Sequence, residues 1–130
     1  MIDTKEKKQS VVIKLIKLPA LDNKGKEMKD KGGDIVYKQE DAPTLLQLLN
    51  RYDNSKHPGS FKEFKSIIAI KDKVERVMID DKEELELSVS DAGWLKKYLE
   101  GLPDNECKRE ETALRPYEIR TLVSITEQLD

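Results

Sequence analysis

The chain is 130 residues long, close to the commonest size for a domain built on one hydrophobic core. Apolar residues make up 37% and charged residues 38%; core material is scarce, but it falls in periodic clusters that mark a folded chain rather than a disordered one. The single cysteine excludes an internal disulfide framework, no apolar run reaches the about 18 residues of a membrane span, and 5% aromatic content leaves little for base stacking.

Net charge is −2 but unevenly spread. Residues 1–33 hold nine Lys/Arg against five Asp/Glu, residues 34–80 balance, and residues 81–130 hold seven against thirteen. This polarity suits head-to-tail complementarity or a basic arm with an acidic partner; two ordinary solvated ends are the simpler explanation. Met1 to Ser10 is polar and lysine-rich, without the apolar stretch of a secretory signal. Residues 1–9 read as a flexible basic tail ahead of a single globular α+β domain over 10–130. A reducing, cytoplasmic setting is expected.

Val11 to Leu18 is a β-branched run that Pro19 ends, with Lys14 and Lys17 on different faces under strict alternation. Turn signals follow at Asp22-Asn23-Lys24-Gly25-Lys26 and Lys29-Asp30-Lys31-Gly32-Gly33, enclosing a short polar segment that reads as mobile. Ile35-Val36-Tyr37 is a second strand, so a wide N-terminal hairpin is expected between about 10–18 and 34–38. Asp41 before Ala42-Pro43 reads as the acidic N-cap of a helix over about 42–52, rich in Leu45, Leu46, Leu48, Leu49 and Tyr52.

Ser60 with Glu63 forms a capping box for a helix over 60–78. Phe61, Phe64, Ile67, Ile68, Val74, Val77 and Met78 fit its apolar stripe, whereas Ile70 falls off it; a strand over Ile67–Ile70 is the alternative. Leu85 and Leu87 alternate with Glu84, Glu86 and Ser88 in a short edge strand near 84–88. A helix over 91–101 follows, stopped by Gly101 and Pro103. After an acidic loop from Pro103 to Thr112, Pro116 opens a last helix over 116–129, with Ile119, Leu122, Val123, Ile125 and Leu129 on its apolar side. No internal repeat stands out.

Catalytic chemistry finds little here. His57 lies in a polar loop without partners at ligand spacing. Cys107 sits among carboxylates that raise rather than lower a thiol pKa. Gly25-Lys26 and Gly32-Gly33 do not open onto a helix with the Lys-Ser/Thr pair of a phosphate loop, so they are turn glycines. Asp80, Asp81, Glu83, Glu84 and Glu86, like Asp104, Glu106, Glu110 and Glu111, lack the loop glycine of a hard-cation site and read as solvated acidic faces. No enzyme activity, cofactor, metal or small-molecule substrate is expected.

Two surfaces remain as candidates. Leu45, Leu49 and Tyr52 belong to the helix over 42–52, which like that over 116–129 carries more apolar residues than one stripe needs, the mark of a partner or self-association contact. Trp94, beside the Leu95 face of the helix over 91–101, either rims the core or anchors a partner. Lys5, Lys7, Lys8, Lys24, Lys26, Lys29 and Lys31 form a basic patch able to meet phosphates, although it contains no arginine.

The order of features resembles small proteins of tailed bacteriophages. These open with a short strand, then a proline and turn as in Leu18-Pro19-Ala20-Leu21-Asp22-Asn23-Lys24-Gly25-Lys26-Glu27. Next come a Thr-Leu start (Thr44-Leu45-Leu46), a helix matching Phe64 to Val77, a Leu-x-Leu-Ser strand (Leu85-Glu86-Leu87-Ser88) running into Asp91-Ala92, and a closing helix. The resemblance covers residues 11–130; this chain departs from it in a longer acidic insertion near 103–114. It implies a phage setting and supplies no catalytic residues. The leading expectation is a non-enzymatic protein acting through protein contacts in virion assembly or on a host target. The alternative is a nucleic-acid-associated regulator using the lysine-rich N-terminal third.

Overall fold

The computed structural model describes residues 10–52, 59–105 and 113–130. The fold is α+β, with the order β1 (Ser10–Lys14), β2 (Lys17–Pro19), β3 (Tyr37–Glu40), α1 (Asp41–Leu49), α2 (Phe61–Ile79), β4 (Glu84–Ser88), α3 (Val89–Asn105) and α4 (Pro116–Leu129). His57, Cys107 and the N-terminal Lys5, Lys7 and Lys8 lie outside the described residues. Among those residues no helix is long and apolar enough to cross a membrane.

The expected first strand is divided between two sheets. β1 pairs antiparallel with β4, from Ser10 opposite Ser88 to Lys14 opposite Glu84. Only its distal part makes the N-terminal hairpin: β2 pairs with β3, Lys17 opposite Glu40, with an irregularity between Leu18 and Pro19. The face conflict between Lys14 and Lys17 is resolved at this break. Ile13 and Leu15 stay buried, while Ile16, Lys17 and Leu18 turn outward.

The helices close a ring in which α1 packs on α2 and α4, and α3 packs on α2 and α4, with the β1–β4 sheet against α2, α3 and α4. Leu85 and Leu87 alternate inward from β4 and meet Ile13, Leu45, Leu48, Leu49, Leu95, Leu99 and Ile125 in one core cluster. Fully burying each such side chain contributes about 1.5–3 kcal/mol before entropy is counted. The leucine surplus of α1 is therefore core, because this helix is covered from two sides. Leu45 and Leu49 are fully buried and do not form a partner surface.

Helix α2 is continuous, so the strand alternative over Ile67–Ile70 does not hold, and its buried face is Ser66, Ile67, Ile70, Val74 and Val77. Ile70 is 0% exposed and Ile68 59%, the reverse of the sequence expectation. The stripe follows the spacing 67, 70, 74, 77, which the apolar exposed Ile68 and Met78 obscure. Ile70→Ala is expected to cost about 2–5 kcal/mol and Ile68→Ala less than about 0.5 kcal/mol, as read by urea denaturation. Ser60 and Glu63 form the expected capping box.

Helix α3 runs through Gly101 and Pro103 to Asn105 rather than stopping. Buried Leu99 and Leu102 hold that last turn, where a proline forfeits only one N–H bond near the end. Its start is fastened by Ser88, whose Oγ accepts the Asp91 N–H at 3.1 Å.

Candidate functional site

Residues 16–38 contain no buried residue, and the segment projects from the helical body as a β-arm. Its local order comes from two turns of the same construction. The Asp22 N–H donates to the Lys26 carbonyl at 2.8 Å and the Gly25 N–H to the Asp22 carbonyl at 3.0 Å. One Asp22 carboxylate oxygen accepts from Lys24 N at 2.8 Å and Lys26 N at 2.9 Å. Eight residues later Asp30 repeats every bond: its N–H to Asp34, Gly33 N–H to its carbonyl, and its carboxylate to the N–H groups of Gly32 and Asp34. Gly25 and Gly33 have φ of 81° and 88°. This is the left-handed position that closes a three-residue hairpin loop and favours glycine.

The recurrence extends to the strands between the turns. Ala20 N–H donates to the Val36 carbonyl, Met28 N–H to the Ala20 carbonyl, and Val36 N–H to the Met28 carbonyl, at 2.8–2.9 Å. Three segments eight residues apart thus close a ring of backbone bonds. An internal repeat is present after all. It is carried by Asp22-x-x-Gly25 and Asp30-x-x-Gly33, too short and too polar to show as hydrophobic periodicity. The segment between the turns is built structure rather than slack loop.

Among the described residues, six of the fourteen exposed large apolar side chains lie on this arm: Ile16, Leu18, Leu21, Met28, Val36 and Tyr37. A shallow depression at its base brings Ile16 and Gln39 together with Ile119 and Val123 of α4. The outward position of Ile119 and Val123 corrects the expected apolar side of α4, whose buried face holds Glu118, Thr121, Leu122 and Ile125. Polar groups occupy that face because they anchor other elements. The Asp41 carboxylate, fully buried, accepts Ile16 N–H at 3.0 Å, Gln39 Nε2–H at 2.9 Å and Thr121 Oγ–H at 2.8 Å. Asp41 is thus the clamp at the root of the arm rather than a helix cap; the N-cap is Glu40, which makes no side-chain cap bond.

Lys24, Lys26, Lys29 and Lys31 are all exposed on the arm, where six lysines face four carboxylates between residues 16 and 38. Two of those carboxylates, Asp22 and Asp30, are bonded to their own turns. The arm therefore combines apolar and basic character on a hydrogen-bonded scaffold.

Tyr52 and Trp94, the other expected contact residues, stand in a separate cluster. Trp94 stacks on Tyr98 at 5.1 Å, and Tyr52 is tilted against both. Tyr98 O–H donates to the Leu48 carbonyl and Trp94 Nε1–H to Glu63. All three rings are half-buried, and they seal α1 and α2 against α3. A Cβ at Gly59 would lie 2.8 Å from the Tyr52 hydroxyl, so Gly59→Ala is expected to shift Trp94 fluorescence. Burial first, then Glu63, holds the Tyr52 phenol above its ordinary pKa. The fold favours the neutral phenol, so this contribution to stability is whole below pH about 10. It is lost as pH rises through the raised value.

Among the described residues no group of three or more His, Cys, Asp or Glu is arranged to hold a metal ion. No protein-family model, curated protein or solved structure matches this chain.

Proposed function

We propose that this protein is a non-enzymatic binding protein of the tailed-phage kind, acting through its β-arm on a protein partner in virion assembly or on a host target. The observation that supports this reading is the concentration of exposed apolar side chains on the arm. Monomeric proteins tolerate such groups singly, whereas several on one short hydrogen-bonded segment mark a contact. Turn bonds and the Asp41 clamp preorganise the arm, so little ordering cost opposes docking. The surrounding lysines select an apolar surface with an acidic rim.

Capture on the immobilised protein, followed by titration of the captured partner, tests the reading. Leu21→Lys with Met28→Lys is expected to weaken binding at least tenfold while leaving circular dichroism unchanged, since both side chains are exposed. Equal affinity of wild type and variant would contradict it.

The placement of Lys24, Lys26, Lys29 and Lys31 on consecutive turns of the arm favours, second, a nucleic-acid contact through phosphates. That reading predicts binding to DNA or RNA which weakens steeply as salt rises, and absence of binding at low salt sinks it.

A further inference from the structure

We propose that the outer edge of β4 accepts one extended strand of a partner protein whose side chains alternate between basic and acidic. This surface is distinct from the arm, and the inference stands whether or not the arm binds. In an antiparallel ladder the residues that exchange hydrogen bonds alternate with residues whose N–H and C=O point away. The Leu15 N–H donates to the Glu83 carbonyl at 2.7 Å, which fixes the phase along the register. Val11 with Leu87 and Ile13 with Leu85 bond across the ladder, whereas Val12, Lys14, Glu84 and Glu86 direct their backbone groups outward.

The two outer edges are treated differently. On β1 the Gln128 side chain lies along the edge like a strand end: its Oε1 accepts Lys14 N–H at 2.6 Å and its Nε2–H donates to the Lys14 carbonyl at 2.9 Å. On β4 nothing among the described residues answers Glu84 and Glu86 in this way. Beside that edge an open groove runs between β4 and α2, lined by Lys73, Arg76 and Val77 from the helix, with Asp80 and Lys82 toward its end.

Charge specifies the occupant. Glu84 and Glu86 are exposed on the solvent face of the sheet, opposite the inward Leu85 and Leu87. An added strand therefore meets two carboxylates on its outer face, where opposite-charge cross-strand neighbours are favourable. Its inner face looks toward Lys73 and Arg76, which favour carboxylates. A second copy of β4 is the wrong occupant, because antiparallel self-pairing about Glu86 sets it against its own equivalent, and pairing about Leu85 sets Glu84 against Glu86. The same glutamates that deter self-association thus select a basic–acidic strand.

The test titrates a short capped peptide of alternating lysine and glutamate into the full chain, followed by amide NMR shifts. Saturable shifts centred on Glu84 and Glu86 are expected. A peptide of the same composition with its lysines and glutamates in blocks should bind at least tenfold more weakly. One N-methylated at its lysines, whose N–H groups face β4 in the antiparallel pairing that sets lysine opposite Glu84 and Glu86, should not bind. Glu86→Pro removes an outward N–H but no ladder bond, and is expected to abolish binding. Should that variant not fold, Glu84→Lys with Glu86→Lys is expected to weaken binding at least tenfold. Equal binding of the blocked or N-methylated peptide, shifts centred elsewhere, a β4-mediated dimer in light scattering, or no saturable binding at millimolar peptide would each overturn the proposal.

Discussion

Replacing Asp41 with alanine is expected to destabilise the protein by about 3–5 kcal/mol, because two buried donors and the part-buried Ile16 N–H lose one acceptor. The carboxylate serves Ile16 N–H, Gln39 Nε2–H and Thr121 Oγ–H, and the Asp41 N–H itself donates to the Ile16 carbonyl at 3.0 Å. One side chain thus ties the β1–β2 junction, β3 and α4 together. Each donor left without a partner costs about 1–3 kcal/mol, reduced where water reaches it. Asp41→Asn keeps one acceptor oxygen and is expected to lose about half as much. Urea denaturation measures the total, and amide exchange at Ile16 shows where it acts. A loss below about 1 kcal/mol would contradict the clamp.

The second large effect is expected at the ion pair between α4 and the end of α1. Arg51 Nη2 lies 3.0 Å from Glu118 Oε1, and its Nε 3.2 Å from Oε2. Glu118 is 0% exposed and Arg51 23% at the side chain. Glu118 Oε1 also accepts the Arg115 N–H at 2.9 Å, closing the first turn of α4. Glu118→Ala therefore removes an ion-pair partner and a helix cap together, and is expected to cost about 3–5 kcal/mol. Arg51→Met leaves a buried carboxylate with less compensation; partial access of water to Arg51 reduces the cost to about 2–3 kcal/mol. The double variant Arg51→Met with Glu118→Met is expected to cost at least about 1 kcal/mol less than the sum, since no charge is left unpaired. Strict additivity in denaturant melts would count against a coupled pair.

Helices were legible in the sequence wherever capping chemistry marked them: Ser60 with Glu63, and Pro116 at the start of α4. What spacing did not reveal was which apolar residues are buried. Ile68 and Ile70 exchange roles, and Ile119 and Val123 face outward. In both helices polar residues such as Ser66, Glu118 and Thr121 occupy buried positions, so a hydrophobicity pattern reads the face wrongly. The surplus leucines of α1 looked like contact surface because the sequence does not say that α2 and α4 cover it from both sides. The split of the first strand was foreshadowed by the opposed faces of Lys14 and Lys17, but its partner, β4, lies some seventy residues away and no local signal names it.

The arm was half legible. Its turns were marked by Asp22, Gly25, Asp30 and Gly33, and its lysines by composition. Met28 was missed as a candidate contact because it stands singly between Glu27 and Lys29, and Leu21 and Val36 because they lie beside a turn and in a short strand. Only the eight-residue recurrence of Asp-x-x-Gly brings them onto one scaffold, and that recurrence was available as the signal.

The most direct test of the arm as a contact surface is site-specific photocrosslinking. A photoreactive side chain is placed in turn at Leu21, at Met28 and at Ile68; Leu21 is 58% and Ile68 59% exposed, so accessibility is matched. The arm positions are expected to yield a discrete adduct containing one other protein, with none from Ile68. The same products from all three positions, an adduct with nucleic acid, or no adduct from the arm would contradict a protein-binding arm.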